Sequence, residues 1–88
     1  MAILAKGSTM QDEASRRRAQ EFQRAVGANI RRLRLERHMT QRELAERTGV
    51  RADYISKLER GKCNAKLGRI GAIADVLGVD AFELLVTR

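Results

Sequence analysis

Residues 40–60 read TQRELAERTGVRADYISKLER, and this stretch decides the fold. Thr40-Gln41-Arg42-Glu43 has the form of a capping box. The Thr40 hydroxyl can accept from the amide three residues on while the Glu43 carboxylate reaches back to the amide of Thr40. Leu44 and Ala45 follow as a short apolar face, which predicts a helix of about two turns. Gly49 closes it, because a sharp turn at positive φ is free of steric cost only for glycine. A second helix is predicted over about residues 52–59, with Ile55 and Leu58 on one face and Tyr54, Ser56 and Lys57 turned elsewhere. Ala45 is small where two helices crossing at roughly 90–120° must approach each other. Val50, Ile55 and Leu58 are the side chains such a pair would bury. An ordinary helical hairpin inside some all-helical domain is the plainer reading of the same spacing.

Upstream, residues 1–11 mix small, polar and weakly apolar side chains without a period and read as a flexible arm, with Met10 an alternative start. The helix-turn unit is expected to occupy residues 12–88. From Asp12 the chain turns helical: Asp12 and Glu13 suit a first turn, and Phe22, Val26, Ile30 and Leu33 mark an apolar stripe. Gly27 weakens this helix and predicts a bend or break there. The run Arg16-Arg17-Arg18, with Arg24, reads either as a solvated face, the common case, or as a phosphate-touching extension of the helix. Arg34 stands on the buried stripe four residues after Ile30, and Glu59 stands four after Ile55 on the core face of the later helix. A charge is tolerated inside mainly when paired, so these two are expected partners with a structural role. Arg37 and His38 suit the negative end of the helix, His38 as a cap rather than a ligand.

Downstream, Gly61 can hold a left-handed turn, and residues 62–66 form a basic loop with Asn64 as the expected helix cap. Leu67, Ile70, Ile73, Ala74 and Leu77 repeat at helical spacing until Gly78. Gly68 and Gly71 would allow a close helix contact. Asp80-Ala81-Phe82-Glu83 opens a last short helix carrying Phe82, Leu85 and Val86. The class is all-α.

Small Ala45, turn Gly49 and buried Val50, Ile55 and Leu58 together make a helix-turn-helix arrangement. Residues 26–85, including GANIRRLRLERHMTQRELAERTGVRADYISKLERGK and LGRIGAIADVLGVDAFELL, resemble the Cro/repressor-type helix-turn-helix family. The resemblance implies a five-helix, repressor-like DNA-binding domain, here with an N-terminally extended first helix, usually dimeric and acting as a transcriptional regulator. It puts the family's interhelical Arg–Glu pair at Arg34 and Glu59, and the residue that opens the first motif helix and clasps the DNA backbone at Gln41. Among small members, the controller proteins of restriction–modification systems look most similar, sharing the short chain and the YIS segment. Phage-type repressors and toxin-linked antitoxins share much of it too. A DNA-binding antitoxin that neutralises a protein partner is the alternative function, although only residues 1–25 would be left to hold that partner.

A helix is narrow enough to enter the major groove of B-DNA, where base edges are distinguishable. On the second motif helix the outward positions are Ala52, Asp53, Ser56 and Lys57. Lys57 can donate to guanine, Ser56 can bond several bases, Asp53 can accept from cytosine N4, and Ala52 can touch a thymine methyl. The family often carries long polar residues where Ala52 and Asp53 stand, so its adenine-reading amide contacts do not transfer. Arg51, Arg60 and Lys62 flank the helix and suit phosphates. Tyr54 suits packing and DNA contact equally.

Composition agrees with that partner. The chain has 88 residues, a formal net charge of +7 and a pI near 10.8, which favours an acidic macromolecule and nucleic acid above all. A membrane-surface peptide is disfavoured, because the apolar residues are dealt over several short helices. Aromatics are 3% of the residues, too few for the stacking platforms of single-strand or RNA readers. The single cysteine, Cys63, cannot pair internally and fits a reducing cytoplasm. No metal-ligand spacing, phosphate loop or nucleophile–base arrangement is present, so neither an enzyme, a cofactor nor a small-molecule effector is expected. One recognition helix covers only a few base pairs, which calls for a symmetric dimer on a near-palindromic operator. Val79, Phe82 and Val86 near the chain end are the candidate interface, unless they complete the monomer core as Leu85 is expected to.

Overall fold

The computed structural model describes residues 9–87, and the side chains from residue 12 onward. Five helices follow one another without a strand among these residues: α1 (Thr9–Glu36), α2 (Gln41–Thr48), α3 (Ala52–Glu59), α4 (Leu67–Leu77) and α5 (Ala81–Leu85). The start of α1 precedes the expected Asp12 by a turn, so residues 9–11 are helix rather than arm; the remainder of the expected arm lies outside the described residues.

The core is built from one face of each helix: Val26, Ile30 and Leu33 of α1, Leu44 and Ala45 of α2, Ile55 and Leu58 of α3, Ile70, Ile73, Ala74 and Leu77 of α4, and Leu84 of α5. Each large aliphatic side chain removed from water stabilises the fold by about 1.5–3 kcal/mol before entropy is counted. The core leaves the first half of α1 uncovered. Helix α1 has 28 residues, about 42 Å at 1.5 Å per residue, and Asp12, Glu13 and residues 15–22 are all exposed. That overhang accounts for a longest dimension of 51 Å against 25 and 19 Å across. Phe22, expected on the buried stripe, is 43% exposed because it sits beside the loop 62–66 rather than over the core. Gln23 reaches across that loop to hydrogen-bond Asn64. Asn64 is therefore not the cap of α4; Lys66 holds that position and gives no side-chain cap bond.

Gly27 does not bend α1. A Cβ there would lie 2.0 Å from the carbonyl oxygen of Leu58 and 3.0 Å from the carbonyl carbon of Glu59, so the missing side chain lets α1 lie directly on the end of α3. Gly68 and Gly71 reverse the expectation made for them: a Cβ at either would meet nothing within 4 Å. Four helix ends close on a residue at positive φ, and three of them do so alike: His38 (φ 55°) after α1, Gly61 (φ 68°) after α3 and Gly78 (φ 71°) after α4. In each, the next amide bonds back across the turn: Met39 to Arg34 O at 3.1 Å, Lys62 to Lys57 O at 2.9 Å, Val79 to Ala74 O at 3.0 Å. His38 thus caps through its backbone, while Arg37 Nη1 donates to Leu33 O at 3.0 Å.

The end of the chain is held by a residue that periodicity passes over. Asn29 is 5% exposed within α1, and its Nδ2 donates to Leu84 O at 2.9 Å and to Val86 O at 2.8 Å. This clamp turns α5 so that Leu84, not Leu85, is fully buried, leaving Leu85 half-buried. Phe82 is 74% exposed and Val86 50%. Leu67, read as the start of the α4 stripe, is also outside the core at 79% exposure.

Candidate nucleic-acid interface

The interface begins with the way α2 starts. Thr40 lies in the extended region, its Oγ1 accepts from the Glu43 amide at 3.0 Å, and the Glu43 carboxylate accepts from the Thr40 amide at 2.8 Å. The backbone bond and then the hydroxyl bond from Thr40 hold the Glu43 carboxyl below its ordinary range, helped by the Arg47 charge. Gln41 is thereby fixed as the first residue of α2. Gly49, at φ 78°, donates to Ala45 O at 2.9 Å and reverses the chain into α3.

Behind the α2 and α3 ends lies a buried ion pair. Arg34 Nε donates to Glu59 Oε2 at 2.6 Å and Nη2 to Oε1 at 2.9 Å, with side chains only 7% and 2% exposed. Arg34 Nη1 donates to Met39 O at 2.7 Å, tying the loop before α2 into the same network. Gln41 Nε2 adds a third donor to Glu59, 3.0 Å from Oε1. The Glu59 hydrogen bond outweighs burial and holds the Arg34 guanidinium more firmly protonated than a free one. One carboxylate on α3 therefore sets the position of α1, of the turn at Met39 and of the side chain that opens α2.

The outer face of α3 is open. Ala52, Asp53 and Lys57 are exposed and Ser56 is half-buried, opposite the core residues Ile55 and Leu58. Arg51 is the N-terminal cap residue of α3, extended in backbone, without a side-chain cap bond. Its Nε lies 3.2 Å from Asp53 Oδ1, with side chains 87% and 60% exposed. That bond, aided by the charges of Arg51 and Lys57, outweighs desolvation and holds the Asp53 carboxyl below its usual range. Arg60 is exposed at the other end of α3, Nε 3.3 Å from Ser56 O, and Lys62 is exposed just beyond it. Gly61 admits Arg24 of α1 to this end: a Cβ on Gly61 would meet Arg24 Cγ at 2.9 Å. Tyr54 packs rather than protruding: its hydroxyl accepts from the Lys66 amide at 3.3 Å, and Arg69 lies 5.0 Å over its ring.

The candidate residues thus divide by place. Gln41, Arg51, Asp53, Ser56, Lys57, Arg60 and Lys62 gather along α3 and the N-terminus of α2, with Ala52 at the flank. Val79 is half-buried against the core, while Phe82 and Val86 stand outside it on and after α5. Sequence reading missed Asn29, whose only signal was an amide inside an apolar stripe, and the pairing of Arg51 with Asp53. Among the described residues no group of three His, Cys, Asp or Glu side chains is placed to hold a metal ion. Nor is any described helix long and apolar enough to cross a membrane.

Comparison with known proteins points one way. Residues 30–84 match the helix-turn-helix family. The helix-turn-helix-type transcriptional regulator y4dJ of Sinorhizobium fredii is 38% identical over 65 residues, 74% of this chain and 84% of that protein. Among solved structures, the hypothetical transcription factor NHTF from Neisseria superposes with a TM-score of 0.74 at 33% identity, covering 78% of this chain and 79% of that one. The restriction–modification controller protein C.AhdI from Aeromonas hydrophila superposes with a TM-score of 0.69 at 31% identity, over 70% of this chain and 94% of its own.

Proposed function

We propose, for a chain that belongs to the DNA-binding helix-turn-helix transcriptional regulators, that it acts in the cytoplasm as a symmetric homodimer on a near-palindromic operator. The α3 helix of each copy enters a major groove. Ala52, Asp53, Ser56 and Lys57 face the base edges, and Gln41, Arg51, Arg60 and Lys62 position the protein on phosphates. A regulator of this build, similar to a restriction–modification controller protein, would govern its genes through operator occupancy.

The observation that carries the dimer is the apolar surface that the monomer leaves wet. Phe82 at 74% and Val86 at 50% exposure lie on and after α5, outside the helices that present the reading face. Burying an exposed phenyl ring is favourable, and a second copy across a two-fold axis would cover it. Two copies so related would place the α3 helices in successive major grooves about 34–36 Å apart.

Sedimentation and selection of bound duplexes from a random pool test this together. The wild type should sediment as a dimer and select paired half-sites in inverted orientation. Phe82→Asp should remain folded, sediment as a monomer and bind the selected operator much more weakly. A wild type that is monomeric at high concentration, or a Phe82→Asp protein that stays dimeric, overturns the arrangement.

A further inference from the structure

We infer that Arg51 reads a guanine in the major groove and that Asp53 is its positioning residue, rather than one contacting a phosphate and the other a cytosine. The inference rests on the DNA-binding reading above and refines which side chains carry sequence information.

Helical geometry places these side chains. At 100° per residue, Asp53 and Lys57 both stand nearly opposite the buried Ile55 and Leu58, at the middle of the outward face. Arg51 leaves the chain one residue before α3 begins, in extended backbone, where that periodicity does not apply. Its bond to Asp53, Nε to Oδ1 at 3.2 Å, draws the guanidinium toward Asp53 on the outward face. Ala52, the residue between, is too short to obstruct it.

Arg51 also keeps donors to spare. Asp53 accepts from Nε on one edge of the guanidinium, which leaves the end-on N–H of each terminal nitrogen of Arg51 for another acceptor. Two parallel N–H groups match the O6 and N7 acceptors of guanine, the commonest specific arginine contact in the major groove. The carboxylate keeps its second oxygen, so the bond to Arg51 orients it without using up its acceptors. It also offsets the arginine charge, which weakens any contact made to phosphate alone.

The start of α3 breaks a local rule as well. Position 51 caps α3, where Ser, Thr, Asp or Asn would satisfy an open amide, yet it holds an arginine that makes no cap bond. α2, by contrast, has a complete capping box at Thr40. α4 forgoes its cap at Lys66 in the same way, so the missing cap bond leaves the Arg51 side chain held by Asp53 rather than by the helix start.

Titrations of purified dimer on the pool-selected duplex and on its single-base variants test the assignment. The proteins are wild type, Arg51→Ala, Arg51→Lys, Asp53→Ala and the Arg51→Ala/Asp53→Ala double variant, with Lys62→Ala as a phosphate control. Wild type should prefer guanine at one position of each half-site by about 10-fold or more, the discrimination of one good bidentate contact. Arg51→Ala and Arg51→Lys should both lose that preference while keeping the others, since an ammonium cannot reproduce the fork. Asp53→Ala should weaken the preference at the same position, and should do nothing further once Arg51 is gone. If Arg51→Ala lowers affinity for every duplex alike, as Lys62→Ala should, Arg51 is a phosphate contact and the assignment fails. If Asp53→Ala instead erases a preference at a different, cytosine position, Asp53 reads directly and the assignment also fails. Neither outcome bears on the dimer, whose failure would appear in sedimentation and half-site symmetry.

Discussion

Two arginine–carboxylate pairs in this chain share a chemistry and differ in almost everything else. Arg34 and Glu59 are bidentate, 7% and 2% exposed, and joined by Gln41 and Met39 in one network across three segments. Arg51 and Asp53 share one 3.2 Å contact and are 87% and 60% exposed. In the first, every polar atom was removed from water and must be satisfied within the protein. In the second, water can replace either partner at little cost. The buried pair therefore holds shape, and the exposed pair is free to exchange its surroundings for another molecule. Position on α3 makes the division sharp. Glu59 faces inward at the end of the helix and Asp53 outward at its start, six residues apart.

The largest expected effect breaks the buried member. Glu59→Ala should destabilise the fold by about 3–5 kcal/mol, because Arg34 would be left charged in an apolar setting and Gln41 would lose its acceptor. Replacing Arg34 and Glu59 together by well-packed apolar residues should cost much less. Thermal melts of the single and double variants decide it. A Glu59→Ala protein that melts with the wild type would show that the pair is not buried in solution. Asp53→Ala should leave the melting temperature nearly unmoved, which is the comparison in its simplest form.

Glycines repeat the contrast at smaller scale. Gly27 lies where α1 touches the backbone of α3, and a Cβ would sit 2.0 Å from Leu58 O, an atom that cannot rotate away. Gly27→Ala adds about 1 kcal/mol of helix propensity. The overpacking cost, typically about 1–3 kcal/mol and more for a backbone clash, outweighs it. Net destabilisation is expected. Gly68→Ala and Gly71→Ala meet open space, so each should instead raise stability by about 0.5–1 kcal/mol. Urea midpoints for the three proteins check the signs. A stabilised Gly27→Ala or a destabilised Gly71→Ala would mean that the helix contacts differ from those described.

These cases also show what the sequence could and could not disclose. The capping box at Thr40, the turns at Gly49 and Gly61 and the charge pair at Arg34 and Glu59 were legible. Each follows from a local rule: a cap needs given residue types at a given spacing, a left-handed turn needs glycine, and a charge on an apolar stripe needs a partner. Gly27 was not legible, because a glycine in a helix looks the same whether it bends or receives a neighbour. Leu84 and Leu85 could not be ranked, since α5 spans only Ala81–Leu85 and one turn has no period to read. Leu67 fell on a stripe whose first turn the core does not reach. Arg51 and Asp53 escaped for a related reason: a spacing of two residues across a helix start belongs to neither side of the boundary. Candidate site residues were thus chosen as a group, from exposure and charge. Their division into readers and anchors depends on contacts that periodicity does not describe.

The smallest effect expected concerns acid. Glu43 is held below its ordinary range by the Thr40 backbone and hydroxyl bonds, and Asp53 by its bond to Arg51. Both carboxyls bind a proton less readily folded than unfolded. The stabilisation each contributes is full above the unfolded carboxylate range, about pH 4, and is lost as pH falls through the lower folded value. Glu43→Gln and Asp53→Asn should therefore differ from wild type most at neutral pH and converge with it in acid. Salt separates the two. Asp53 depends chiefly on an exposed ion pair, so its small contribution should fade with ionic strength, whereas the Glu43 bonds to Thr40 close a cap and should persist. Melting temperatures measured from neutral pH into acid, at low and high salt, read both trends. A Glu43→Gln deficit that widens on acidification would reverse the sign argued here. An Asp53→Asn deficit as insensitive to salt as that of Glu43→Gln would place the exposed pair with the structural one and remove the contrast between them.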